Sequence, residues 1–284
     1  MYPLMRHSLR VAVSGAALSL GSLTGCNLIE YSPNQTHVPA AERHLTAQNI
    51  ARLAQQPKSP DDTLRFVFIG DSQRFYDEAE DFVKSVNQQP DIDFVVVAGD
   101  ISDFGLVREM RWMHHRLQKL KVPYFTVIGN HDQVGNGRQI YQNVYGPLNY
   151  SFTYAGTKFI CVDTNSREYA FNGHVPDLPW LSQQLADTAK SQRQIILCHV
   201  PPTDGDFDPN LTAAYGSLVG SSPQVTLHLA GHVHRYSATH PFKDGVPYLT
   251  AYSFQQRRYN IVSVWGRNQF NINTISYASP TPQS

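Results

Sequence analysis

Six short apolar runs set the fold: RFVFIG, DFVVVAG, YFTVIG, KFICVD, QIILCHV and VTLHLAG, spread between Arg65 and Gly231. They are apolar almost throughout, not alternating, which is the pattern of strands covered on both faces. Amphipathic helical patterns lie between several of them. In DEAEDFVKSVNQ, Ala79, Phe82, Val83 and Val86 share one face, and in GLVREMRWMHHRLQKL the stripe is Leu106, Met110, Met113, Leu117 and Leu120. Strands alternating with helices predict an α/β fold with much parallel pairing. The tail differs: PYLTAYS, YNIVSVWG and QFNINTIS are strands split by turn residues, and predict antiparallel closure. One domain, 63–277, accounts for these elements, with 278–284 as a short tail.

Polar chemistry collects just after the apolar runs. The segments are GDSQ at 70–73, GDISD at 99–103, GNHD at 129–132, CHVPP at 198–202 and GHVH at 231–234. In open α/β sheets ligands bind beyond the carboxyl ends of strands. Each segment turns there and presents a carboxylate, an amide or an imidazole, all of them metal-type ligands. A single Gly-Asp after a strand is commonplace. The ordered set of five is specific, and helix caps with packed histidines account for any one segment but not for all.

These segments resemble the motifs of the calcineurin-like metallophosphoesterase superfamily, and the resemblance runs from about Leu64 to Ser276. It implies a two-layer β-sandwich of mixed sheets flanked by helices, with two divalent metal ions at the strand ends. It also implies a phosphoester hydrolase, phosphodiesterase or diphosphatase ahead of phosphomonoesterase, working through a bridging hydroxide. By that resemblance Asp100 bridges the metals. Asp71, His234 and residue 73 hold the first metal, and Asn130, His199 and His232 hold the second. His131 faces the leaving group as a proton donor, and Asp103 orients it; a helix N-cap is the other role open to Asp103. Asp132 is expected to be structural.

The family usually has Asp-x-His in its first motif, where this chain has Asp71-Ser72-Gln73. An amide oxygen in place of an imidazole nitrogen moves metal preference toward Mn²⁺ or Mg²⁺ and away from Zn²⁺ or Fe²⁺. Some branches of the family carry Gln there, including manganese-dependent diphosphatases acting on ADP-ribose and CDP-alcohols. The alternative is that Gln73 turns away and bonds a loop. A rival function follows, a metal- or phosphate-binding envelope protein without turnover. Two absences narrow the branch. No Arg follows Asp103, unlike the Ser/Thr protein phosphatases, and Asp103 stands where purple acid phosphatases have a Tyr ligand.

The N-terminus carries a different message. MYPLMRHSLR is a short basic region, VAVSGAALSLGSL an apolar region of signal-peptide length, and LTGC ends at Cys26. LTGC resembles the bacterial lipobox, which implies a signal peptide over 1–25, a lipid-anchored Cys26 and an envelope location. Asn27 is not the inner-membrane retention Asp, which favours the outer membrane or periplasmic face. Residues 26–62 are expected to form a tether, with a short helix in AERHLTAQNIARLAQQ. Cys161 and Cys198 sit in strand-like runs and are expected to be buried free thiols. Charges balance at 23 basic and 23 acidic residues, which leaves no nucleic-acid footprint. His114 and His115 lie off the helix stripe and are expected to face solvent, and His228 to be packed. Arg167, His174, Asp204 and Arg235 are candidates for substrate contact, His174 in a loop that could form a lid.

Overall fold

Every apolar run named above becomes a strand, and alternate side chains fill two different cores. The computed structural model describes residues 35–277. The expected signal segment, Cys26 and the tail from 278 lie outside the described residues. The first sheet holds β1 (Leu64–Ile69), β2 (Phe94–Val97), β3 (Tyr124–Thr126), β10 (Arg258–Trp265) and β11 (Gln269–Ser276) in the order β11-β10-β1-β2-β3. β1, β2 and β3 are parallel, while β10 and β11 close the edge antiparallel.

The second sheet holds β4 (Tyr150–Tyr154), β5 (Thr157–Cys161), β6 (Arg193–Leu197), β7 (Val225–Ala230), β8 (Ser237–Thr239) and β9 (Tyr248–Thr250), in the order β4-β5-β6-β7-β9-β8. Here the expectation for PYLTAYS fails. β9 pairs parallel with β7 and antiparallel only with β8. The chain runs outward along β8 and returns, so β9 regains the direction of β7.

Between the sheets lie Phe66, Phe68, Phe94, Phe125, Phe152 and Phe159 with Leu227, Leu229 and Val262. Their opposite neighbours Val67, Ile69, Val95 and Val97 pack under α2 (Tyr76–Val86), α3 (Val107–Leu117) and α4 (Gly137–Val144). Ile160, Ile196 and Ala230 pack under α5 (Leu178–Ala186) and α6 (Pro209–Gly220). Both faces of each central strand are therefore apolar. At roughly 1.5–3 kcal/mol for each large side chain buried, the inter-sheet layer and the two helix-facing layers all contribute to the fold's driving force. Cys161 and Cys198 are buried free thiols.

The domain begins earlier than its composition suggests. Residues from Thr36 belong to the main compact unit. α1 (Leu45–Ala54) buries Leu45 and Leu53, and Val38 joins the core. Glu42 fastens this segment to α3, accepting from Arg111 at 2.6 Å and pairing with His115 at 3.0 Å. That covering corrects the expectation for His114. Its ring is buried, with Nδ1 2.7 Å from the Tyr124 hydroxyl, and desolvation pushes its pKa down to about 4. His115 stays half-exposed. No described helix is long and apolar enough to cross a membrane.

Candidate metal centre

β1, β2, β3, β6 and β7 end at one edge of the sandwich, and each hands its next residues to a shared site. The turns are tight because the ligands behind them are close. A Cβ on Gly99 would stand 2.3 Å from Nδ1 of His199, and one on Gly129 would stand 2.1 Å from Oδ1 of Asp100. Gly99 also has φ +87°, so it is needed both for space and for conformation. Asp71, Gln73, Asp100, His232 and His234 all have positive φ themselves. Non-glycine residues in such regions cost of order 1–3 kcal/mol each, and they gather where surrounding structure holds side chains for a purpose.

Two buried carboxylates anchor the centre. Oδ1 of Asp71 accepts from the backbone N–H of His232 at 3.1 Å and lies 3.3 Å from Nε2 of His234. Oδ1 of Asp100 accepts from the backbone N–H of His131 at 3.0 Å and lies 3.3 Å from Nε2 of His199. Burial works against the charge of Asp100, but His199 and the bonded neighbours outweigh it and hold its pKa below the usual range. Burial likewise opposes charge on His199, yet Asp100 draws its pKa up. The hydrogen bond to Asp71 raises His234, whereas burial and the nearby His199 lower His232.

The imidazoles are aimed by their outer nitrogens. Nδ1 of His199 lies 2.7 Å from the Ala98 carbonyl, leaving Nε2 to face inward, 3.0 Å from Oδ1 of Asn130. His232 points the other nitrogen inward: Nδ1 is 3.2 Å from Oδ1 of Asn130, while Nε2 faces Asp204 at 3.4 Å and Asp206 at 3.6 Å. An outer-nitrogen bond to a carbonyl or carboxylate is how ligating histidines are fixed in tautomer and orientation. Asp206 also pairs with Arg167, so this clamp reaches the solvent rim.

Asp71, Asp100 and His199 offer ligand atoms within 4.8 Å of one another. Oδ2 of Asp71 is buried without a hydrogen-bond partner. An unpartnered carboxylate oxygen in a ring of imidazoles and an amide oxygen fits a divalent cation, and the mixed N/O set suits Mn²⁺, Fe²⁺ or Zn²⁺. Gln73 is buried at the same place. Its Nε2 donates to Oδ2 of Asp100 at 2.8 Å. It thus faces the centre rather than a distant loop.

The other expected residues fall as follows. Nδ1 of His131 bonds the backbone carbonyl of Asp103 at 2.9 Å, while the Asp103 carboxylate stands 3.7 Å away and accepts from Arg74 at 2.8 Å. Asp103 is not a helix cap; Glu109 does that work, accepting from the N–H groups of Phe104 and Leu106. Asp132 is fully buried and accepts from Ile101, Ser102 and Gly129. His174 is exposed in a separate pocket, and Arg235 is exposed. Arg74 and Asp206 escaped the sequence reading, since neither belongs to a motif with a ligand spacing.

The family model of the calcineurin-like phosphoesterases matches residues 64–236, the span from β1 past His232 and His234. The chain belongs to the calcineurin-like phosphoesterase family. It is 26% identical over 166 residues to a probable glycerophosphodiester phosphodiesterase of Arcobacter nitrofigilis, covering 54% of this chain and 60% of that one. It is 24% identical over 180 residues to a 3′,5′-cyclic-nucleotide phosphodiesterase of Nostoc, covering 60% and 66% respectively. The match thus spans about 60–66% of the length of these two relatives. Among solved structures, a dimetal phosphatase from Danio rerio superposes with a TM-score of 0.59 at 16% identity, over 76% of this chain and 99% of the other. A purple acid phosphatase from yellow lupin gives 0.60 at 14% identity, over 78% and 52%. At these identities the likeness is one of fold, and it agrees with the two-layer sandwich.

Proposed function

We propose that this calcineurin-like phosphoesterase is a metal-dependent phosphodiesterase with a dinuclear centre. The observation that carries the reading is the buried pair Asp71 and Asp100 ringed by Asn130, His199, His232 and His234, with Oδ2 of Asp71 unpartnered. The relatives' names supply the diester preference. Asp71, His234 and Gln73 would hold one ion, Asn130, His199 and His232 the other, with Asp100 between them. When bound, the two ions would supply Lewis-acid charge for the phosphoryl oxygens and an acidified water as nucleophile.

The chain's own groups do the rest. His131, half-exposed at the mouth, keeps Nδ1 on the Asp103 carbonyl and so presents Nε2 to a departing alcohol oxygen. A proton donated there is typically worth ~10²–10⁴ in rate, most for poor leaving groups. Arg74 holds the Asp103 carboxylate and keeps that loop in place. The lipobox-like LTGC supports acylation at Cys26 and a location in the cell envelope, facing small-molecule or envelope phosphoesters.

The rival reading is a metal- or phosphate-binding protein without turnover. A single experiment separates the two. Metal-stripped protein starting at residue 35 is reloaded with Mn²⁺, Zn²⁺, Fe²⁺ or Mg²⁺. Metal content and turnover of bis(p-nitrophenyl) phosphate and p-nitrophenyl phosphate are then measured. Two metals bound with diester turnover, strongest with Mn²⁺, is the expected result; two metals bound without turnover of any ester leaves the binding protein.

A further inference from the structure

Beside the metal centre, under the loop that follows β6, a cavity of about 160 Å³ opens against the α5 and α6 side of the second sheet. Two residues tie it to the centre. Val233 lines it and lies in the chain between His232 and His234. Asp204 lines it too, and its Oδ1 is 3.4 Å from Nε2 of His232. The cavity and the centre therefore share a wall.

Its lining is largely apolar and carries no lysine or arginine. Pro201, Pro202, Val233 and Tyr248 form much of the wall. The hydroxyls of Ser237 and Thr250 bond each other at 2.8 Å, and Thr250 donates onward to the Arg235 carbonyl, so both are engaged within the wall. His228 at the base is buried, 2.9 Å from the Tyr215 hydroxyl, and desolvation pushes its pKa down to about 3, leaving a neutral ring. The one charge is the Asp204 carboxylate.

We propose that this cavity takes the retained, uncharged ester substituent of a phosphodiester, a group about the size of one six-membered ring. The inference rests on the phosphodiesterase assignment and adds the class of substituent. Apolar cavities of about 150 Å³ bind benzene, which sets the size; a nucleoside is too large. A second phosphoryl group would meet the Asp204 carboxylate, and no lysine or arginine lines the cavity to pair it, so diphosphates fit poorly. The substituent is taken as the retained one because the leaving oxygen is assigned to His131, and His131 is not among the residues that line the cavity.

The test uses Mn²⁺-loaded protein with phenyl p-nitrophenyl phosphate and methyl p-nitrophenyl phosphate, which share a leaving group. Thr239 lines the cavity from the exposed strand β8, so Thr239→Phe fills it from outside without disturbing the core. The wild type is expected to prefer the phenyl ester by about 10-fold in kcat/KM, the scale of one well-filled apolar pocket. Thr239→Phe should abolish that preference while keeping the methyl ester within about two-fold. A wild type without preference, or a variant that retains it, overturns the proposal. If neither ester turns over, the phosphodiesterase assignment fails on its own account. Calorimetry with methyl phenyl phosphate and dimethyl phosphate then decides the cavity. Tighter phenyl binding lost in Thr239→Phe supports it, and equal or undetectable binding of both overturns it.

Discussion

Truncating Asp132 to alanine removes one acceptor from four buried donors at once. Oδ2 accepts from the N–H groups of Gly129 and Ile101, and Oδ1 from the N–H and hydroxyl of Ser102. Two ligand loops, after β2 and after β3, are thereby stitched to each other one residue from Asp100 and two from Asn130. A buried donor left unpaired costs about 1–3 kcal/mol. The Ser102 hydroxyl can turn to another acceptor, and removing a buried carboxylate recovers part of its desolvation cost. The expected net loss is about 3–5 kcal/mol. For a chain of this size about 1 kcal/mol corresponds to roughly 2–4 °C, so Tm should fall by about 6–20 °C. The assay is thermal unfolding followed by circular dichroism on metal-free protein, which separates folding from metal binding. Asp132→Asn keeps one oxygen and should lose about half as much. A Tm for Asp132→Ala within about 2 °C of wild type would refute the stitching role.

Glu42 is held down to about 2 by its hydrogen bond from Arg111, with His115 adding to it. A depressed carboxylate stabilises the fold above its unfolded value near 4.5 and loses that contribution as pH falls toward 2. With the pair near the surface, about 1–2 kcal/mol should vanish across that window, and denaturant melts of Glu42→Gln should lack that part of the acid slope. Gln73→His should raise the affinity ratio of Zn²⁺ over Mn²⁺ in competition titrations; an unchanged ratio would place residue 73 outside the coordination shell. His131→Ala should cut kcat by ~10²–10⁴ for diesters with alkyl leaving groups and much less for p-nitrophenyl esters, since p-nitrophenolate leaves without a proton. Equal losses for both would exclude proton donation.

Much of this molecule could be read from local pattern, because two-sided burial leaves a plain mark on sequence. Val95 and Val97 face one core while Phe94 and Val96 face the other, so the run FVVV has no polar position at all. The residues gathered at the site were legible for a related reason: glycine before Asp100 and before Asn130 reports a ligand too close for a Cβ. Contacts between distant segments left no such mark. The burial of His114 depends on a segment some seventy residues earlier, fastened by Glu42. The direction of β9 depends on the outward path of β8. Arg74 meets Asp103 only because the turns after β1 and β2 lie side by side.

Gln73 is the residue where sequence and structure press hardest on each other. Its backbone is held by an N–H bond to the Asp100 carbonyl at 2.8 Å, so the side chain has little choice but to face the carboxylates. A terminal amide offers a donor at one end and an acceptor at the other, and a half-turn of its last torsion exchanges them. Without a cation, the charge of Asp100 selects the donor, which is the arrangement described above. A cation beside Asp71 and Asp100 reverses that preference and selects the carbonyl oxygen. Histidine, committed to one tautomer by its outer bond, has no equivalent switch. If this is the role of Gln73, its side-chain NH₂ resonances should move on titration with Mg²⁺ or Zn²⁺, both diamagnetic, and should not move in Asp71→Asn protein with impaired metal binding. Resonances that stay in place while metal binds would mean that the amide keeps its bond to Asp100, and that the first ion is held by Asp71, Asp100 and His234 alone.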